Sequence, residues 1–196
     1  TLTIVQNAAA VSIDGLEIES LWIPTEGLTL TANLGILDAN YDSYMVLDGS
    51  GNMVDKSGFD LRRAPEMTLA LGALHEFALS NGDFIVSSLN YRWKDDYCVQ
   101  GNNFSAIEAH YGANPACNES YGIIDASISY ESDNWRLSFF GKNLGDEDYI
   151  LHFLDVASSV NATSATDATP VYVPGLWSFG TVNRPRYFGV ELQFDF

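Results

Sequence analysis

The last residues of the chain read Arg184-Pro185-Arg186-Tyr187-Phe188-Gly189-Val190-Glu191-Leu192-Gln193-Phe194-Asp195-Phe196. Apolar side chains stand at 188, 190, 192, 194 and 196, with Gly, Glu, Gln and Asp between them. Successive side chains of an extended strand point to opposite sides, so this alternation makes one apolar and one polar face. A helix would scatter the same five apolar residues around its circumference.

The two-residue period recurs upstream. Trp135, Leu137 and Phe139 follow the turn Glu131-Ser132-Asp133-Asn134, and Ile124, Ala126, Ile128 and Tyr130 precede it. Met67, Leu69, Leu71, Ala73, His75 and Phe77 lead into Ser80-Asn81-Gly82-Asp83, and Ile85, Leu89, Tyr91 and Trp93 lead out. Asn-Gly is a hairpin signal because both residues tolerate positive φ. Leu16 and Ile18 precede Pro24-Thr25-Glu26-Gly27, and Leu28, Leu30, Ala32, Leu34 and Ile36 follow it. The pattern predicts an all-β antiparallel meander of about seven long strands. Its connections alternate strictly: 24–27, 80–83 and 131–134 are short, whereas 38–64, 94–120 and 145–181 are long. A meander whose two ends meet different surroundings sorts its loops this way.

Alternation alone does not say which face meets water. A soluble sandwich buries its apolar face, and a membrane barrel turns it to lipid. Strands of about ten residues fit a tilted bilayer crossing. Trp22, Phe77, Tyr91, Trp93, Tyr130 and Trp135 gather near strand ends, where a barrel carries aromatic girdles. His75, on the apolar set near a strand end, reads as a girdle residue. These features favour the barrel.

The chain has 196 residues, with 26 acids against nine Lys/Arg and a net charge of −17. That balance excludes nucleic acid, since nothing neutralises a run of phosphates. No apolar run reaches the roughly 18 residues of a helical span. Only 18% of residues are charged, which suits strands with one uncharged face. The three long connections hold 14 of the 26 acids and four of the nine Lys/Arg. The remaining acids fall mostly on the inward set, such as Glu17, Glu19, Asp125 and Glu191. An anionic rim at one end favours neutral or cationic ligands over polyanions.

Catalytic patterns fail. His75-Glu76 lacks the second His of a zinc-protease helix, no serine sits in a G-x-S-x-G elbow, and the three histidines have no zinc spacing. Asp48–Asp55 does not fit a calcium loop, since Phe59 stands where the bidentate Glu belongs. The triplets at Asn103, Asn118 and Asn161 match a glycosylation sequon, which has meaning only in a secreted eukaryotic domain. No enzyme activity, cofactor or metal is expected. Cys98 and Cys117 close a loop of about twenty residues that an oxidising compartment would bridge; two free thiols are the alternative. Tyr97, Tyr111, Tyr172 and Trp177 lie on the long connections, either stacking on a ligand or packing the loops together.

The terminal segment resembles the last strand of a TonB-dependent outer-membrane receptor. Its Phe188, Val190, Leu192, Phe194 and Phe196 are similar to the signal read by the barrel-assembly machinery. Phe140-Gly141-Lys142-Asn143-Leu144-Gly145-Asp146-Glu147-Asp148-Tyr149 resembles that family's G-(K/R)-N-L-x-D-x-x-Y segment, carried here by Asn143, Leu144, Asp146 and Tyr149. Asn7-Ala8-Ala9 with Gly15-Leu16-Glu17-Ile18-Glu19, then Pro24–Leu28, resembles a recurrent hairpin, and Arg63-Ala64-Pro65-Glu66 resembles the opening of a descending strand.

The resemblance implies a nutrient receptor of the bacterial outer membrane, with a siderophore-, vitamin- or carbohydrate-type small-molecule ligand. Its long loops would be extracellular, and its short turns and C-terminus periplasmic. The implied partners are outer-membrane lipid, the barrel-assembly machinery, further barrel strands, a plug and an energy-transducing periplasmic protein. Family members have a plug, a short segment for that partner, and a 22-stranded barrel. Residues 1–196 hold about seven strands and neither of the other parts, so they are expected to be the C-terminal portion of such a barrel. A small self-contained barrel with an adhesin or structural role would need an eighth strand from 1–13 or 150–157. A soluble acidic β-sandwich used for binding is the third alternative.

Overall fold

The computed structural model describes residues 10–47, 53–99, 116–156, 159–161, 171–173 and 177–196. β1 (Val11–Thr25) and β2 (Leu28–Tyr41) form the first hairpin, and β3 (Met45–Leu47) and β4 (Met53–Asp55) pair within the connection that follows. β5 (Met67–Ala78) and β6 (Phe84–Lys94) form the second hairpin, followed by the short pair β7 (Tyr97–Cys98) and β8 (Cys117–Asn118). β9 (Tyr121–Ser132) and β10 (Trp135–Lys142) form the third. The last long connection holds β11 (Ile150–Val156), β12 (Ser159–Asn161), β13 (Val171–Val173) and β14 (Trp177–Val182), and β15 (Tyr187–Phe194) completes the chain.

Seven of these strands make one antiparallel sheet in the order β1-β2-β5-β6-β9-β10-β15. These are the seven strands read from the two-residue period. The long connections carry strand pairs of their own: β11 pairs with β14 and β12 with β13, outside the main sheet. Of the two candidate spans for an eighth strand, 1–13 and 150–157, residues 11–13 belong to β1 and 150–156 to β11, which pairs outside the main sheet, while 1–9 and 157 lie outside the described residues.

Register decides what each face carries. One cross-strand row runs Trp22, Leu30, Ala73, Leu89, Ala126, Gly141, Phe188 and crosses all seven strands. Two rows further along the same face, beyond Ser20, Ala32, Leu71, Tyr91 and Ile124, the residues Ile18, Leu34, Leu69 and Trp93 align. The opposite face carries Glu19, Asn33, Ala70 and Arg92 in one row, and Thr31, Gly72, Asn90 and Asp125 in the next. The sheet therefore has one continuous apolar face and one mixed polar face.

The apolar face has no protein cover. Phe188 is 71% exposed and Val190 63%, and the buried hydrophobic residues among those described are Val99, Ala116 and Ile123. The chain presents 13221 Å² to its surroundings, where a compact globule of its mass would present about 9,200 Å². A β-sandwich is excluded on these grounds, because it has a packed interior between two sheets. On β5 the apolar set runs from Met67 to Phe77. At about 3.4 Å per residue and a tilt near 40°, that run covers about 26 Å along the barrel axis, which matches the lipid-facing band of a membrane barrel.

The band has edges. Trp22, Phe77, Tyr130, Trp135 and Phe194 lie towards the short-turn end, with the rings of Tyr130 and Trp135 stacked 5.2 Å apart. Towards the long-loop end Tyr91, Trp93 and Phe188 close the band. Beyond it the polarity of β1 and β2 inverts. Val11 and Ile13 pair with Tyr41 and Ala39 on the polar face, while Ser12 and Asp14 pair with Asn40 and Asp38 on the continuation of the apolar one. Water-seeking side chains thus replace lipid-seeking ones where the sheet rises past Leu16.

Glycines let large rings lie flat on this sheet. A Cβ at Gly189 would stand 2.2 Å from the Phe140 ring, and one at Gly141 would stand 2.9 Å from Phe188. Each ring fills the space above a glycine on the neighbouring strand.

Candidate functional site

The long-loop end of the sheet is held together by a network that begins on the polar face. Asp125 on β9 is buried, and its carboxylate accepts from Arg92 Nη2 at 2.9 Å, Lys142 Nζ at 3.4 Å and the backbone N–H of Asn143 at 2.9 Å. Neighbouring strands β6, β9 and β10 are thereby tied at the level where they pass into loops.

Asn143 then turns the chain. It adopts φ 51° and Asp146 φ 57°, conformations that Asn and Asp tolerate better than most residues. The Asn143 side-chain oxygen accepts from Glu147 N–H at 2.9 Å, and its amide donates to the carbonyls of Glu147 at 2.9 Å and Arg184 at 3.1 Å. Asn183 answers from the far end of the loop: its amide donates to the same two carbonyls, and its oxygen accepts from Tyr149 N–H at 2.9 Å. Asn118 does the same one loop away, accepting from Ile150 N–H at 2.6 Å and donating to Ile150 O at 3.1 Å. All three asparagines are buried, with every side-chain function partnered.

The four motif residues read in the sequence meet here. Leu144 packs over Gly141 and donates its N–H to Ile124 O, and Asp146 accepts from Arg186 N–H at 2.8 Å. Tyr149 stacks on Tyr121 with ring centroids 4.3 Å apart. Asp125, which the sequence marks as an inward-facing acid, lies on the polar face, but its partners are not legible there; Asn118 and Asn183 are the members that sequence reasoning missed. Asn118 had been visible only as a sequon, and Asn183 carried one weak sign, its place just before Arg184-Pro185, where chains turn.

The loop aromatics divide. Tyr97 lies under Lys94 Nζ at 5.2 Å, and its hydroxyl is 3.2 Å from that of Tyr121, so it joins the Tyr121–Tyr149 stack. Tyr111 lies outside the described residues, as do the side chains of Tyr172 and Trp177, whose backbones belong to β13 and β14. The loop segment 48–52 also lies outside them. Of the terminal-strand residues, Phe188, Val190, Leu192 and Phe194 occupy the apolar face, opposite Gly141, Phe139, Leu137 and Trp135. Phe196 follows the end of β15 and is fully exposed.

Cys98 and Cys117 form a disulfide that closes the second long connection at its base. Val99 and Ala116 are buried just beyond it and joined by a 2.8 Å backbone hydrogen bond. Beside this hairpin is a concavity of about 610 Å³ whose wall carries Asp38, Asp60, Glu66, Asp95, Asp96 and Tyr97. Deeper in the first connection, burial pushes the Lys56 ammonium pKa down, and hydrogen bonds from Ser57 hold the Asp55 carboxyl below its ordinary value. No group of His, Cys, Asp and Glu with a metal-binding arrangement occurs among the described residues.

A family model described as TonB dependent receptor-like, beta-barrel matches residues 1–144. The chain belongs to the TonB-dependent receptor β-barrel family. Members of that family are transport receptors of the outer membrane. The seven-stranded sheet also matches the crystal structure of the ferric yersiniabactin uptake receptor FyuA from Yersinia pestis, with a TM-score of 0.67 and 17% identity. That match covers 97% of this chain and 24% of the FyuA chain, so the chain spans about a quarter of the solved receptor's length. Within a TonB-dependent receptor barrel the uncovered apolar face is the lipid-facing wall, which accounts for the missing interior.

Proposed function

We propose that this chain is the C-terminal portion of the barrel of an energy-coupled nutrient receptor, and that it supplies both wall and ligand-capturing rim. One observation carries the reading: a continuous apolar face without protein cover ends at a collar where Asn118 ties the second long connection to the third and Asn143 and Asn183 close the third at its neck. Lipid covers that face. The edges of the sheet at β1 and β15 pair with further strands, since an unpaired edge in hydrocarbon has no partner for its backbone groups.

In this reading the long connections face the medium, and the short turns and C-terminus face the periplasm. The mixed polar face meets a plug, through which an energy-transducing periplasmic partner acts. Phe188 to Phe196 is the segment the assembly machinery reads. The ligand is a small molecule of siderophore, vitamin or carbohydrate type. The carboxylates around the rim concavity favour a neutral or cationic species. Tyr111, Tyr172 and Trp177 are the aromatic residues proposed to stack on it, with Tyr97 held at the base of the second connection by Tyr121. No covalent step is involved.

Uptake of labelled chelates, vitamins and oligosaccharides by cells with and without the receptor tests this. Uptake of one ligand that requires both the receptor and the energy-transducing partner supports the proposal. Recovery of the protein in the soluble periplasmic fraction would sink it.

A further inference from the structure

We propose that Arg63 is a positioning residue that joins the three long connections into one body, so that ligand contact with one restrains the other two. The role in ligand capture rests on the function proposed above; the tie itself rests on geometry. Arg63 stands in the first connection just before β5, with φ 57°. Its backbone N–H donates to Cys98 O at 2.9 Å, on the disulfide-closed hairpin of the second connection. Its side chain reaches the third, where Nη2 donates to Leu151 O at 2.9 Å and lies 3.1 Å from His152 Nδ1. Arginine has no acceptor, so in this contact Arg63 donates and Nδ1 of His152 accepts. Arg62 adds Nε and Nη2 to Val99 O, each at 3.4 Å.

Two features set Arg63 apart from an ordinary surface arginine. It bridges segments 35 and about 88 positions away, which no other described residue of the rim does with one backbone and one side-chain donor. It also occupies a left-handed conformation in which glycine would be unstrained. A glycine there would keep the backbone bond to Cys98 O and lose only the reach to Leu151 and His152.

That difference is the experiment. Amide hydrogen exchange is followed on the receptor that carries this chain, in detergent and without ligand, for the native protein and for Arg63→Gly, Arg63→Lys and His152→Ala. Arg63→Gly is expected to speed exchange at 151–154 about threefold to tenfold, the range for losing one net hydrogen bond at a solvated site. Protection at 97–99 is expected to stay. Arg63→Lys keeps the charge but not the fork, and falls between. His152→Ala gives the smaller part of the same effect. Unchanged exchange at 151–154 in Arg63→Gly overturns the tie, and so does an equal rise across β5 and β9, which would mark general loosening. Ligand uptake is read separately: a raised KM with unchanged maximal rate in Arg63→Gly connects the tie to capture, whereas a failure of uptake in every variant and the native protein counts against the proposed function and leaves the exchange result standing.

Discussion

Asn143 and Asn183 donate their side-chain amides to the same two carbonyls, those of Glu147 and Arg184. The shared acceptors close the whole excursion between β10 and β15 at its neck. Because the groups are buried, removing one amide leaves carbonyls half satisfied and strips the N–H of Glu147 or Tyr149 of its acceptor. Asn143→Ala and Asn183→Ala should each cost about 1–3 kcal/mol. The double variant should depart from the sum, since both amides act on one pair of acceptors and only their joint loss leaves those carbonyls without a side-chain donor. Thermal unfolding in detergent measures this, and strict additivity would show that the two amides work independently.

Two glycines with left-handed backbones separate steric from conformational demand. Gly27 has φ 77° and a Cβ there would stand 2.2 Å from Glu76 O, whereas Gly82 has φ 92° and open space around it. Gly82→Ala should therefore cost only the strain of a non-glycine residue, about 1–2 kcal/mol. Gly27→Ala adds a collision with backbone that is itself bound, since Glu76 N–H donates to Gly27 O at 2.8 Å. It should cost clearly more and shift the first turn's pairing with β5. Comparable unfolding temperatures for the two variants would refute the distinction.

Seven strands were legible in the sequence because a two-residue period is local and every sheet strand repeats it. The turn 131–134 narrows to Asp133-Asn134, since Glu131 and Ser132 already pair with Arg136 and Trp135. β1 and β2 run further than the pattern suggested: past Leu16 the alternation continues with its polarity reversed, as in Ile13 and Asp14, and a fixed apolar phase does not follow it. The pairs β3–β4, β7–β8 and β12–β13 left no such period, because strands of two or three residues are set by loop closure, and the seven-residue β11 mixes polar and apolar residues in both alternate sets, with His152 beside Leu154 and Asp155 beside Phe153. The knot was half legible. Asn143, Leu144, Asp146 and Tyr149 stood out as a motif, but hydrogen bonds to Asn183 and Asn118 across long connections have no local pattern.

The turn at the opposite end is pH-sensitive in a defined direction. Tyr130 donates its hydroxyl to Asp83, and with help from Ser132 and Asn81 this holds the Asp83 carboxyl below its ordinary value of 3.8. A lowered folded-state pKa means the charged form is favoured by folding. The resulting stability is present above the ordinary value and is lost as pH falls through the lowered one. Tyr130→Phe should raise the Asp83 pKa towards 3.8. Carboxylate titration by infrared or NMR spectroscopy reads the change, and an unmoved or lowered pKa in Tyr130→Phe would contradict the assignment.

Asp125 decides whether the polar wall is held by charge or by its backbone bond. Arg92 and Lys142 keep side chains 61% and 43% exposed, so solvent screens much of their attraction to it. The Asn143 N–H is different: that group is buried and Asp125 Oδ1 is its acceptor at 2.9 Å. Asp125→Ala should thus destabilise by about 1–3 kcal/mol, while Asp125→Asn, which retains an acceptor oxygen, should lose less. The Lys142→Met variant should be nearly neutral, because it removes only the longer contact, made by a side chain that is itself 43% exposed. If raising the salt concentration to about 1 M, where screening acts within roughly 3 Å, erased the gap between native protein and Asp125→Ala, the ion pairs and not the Asn143 bond would be the main contribution.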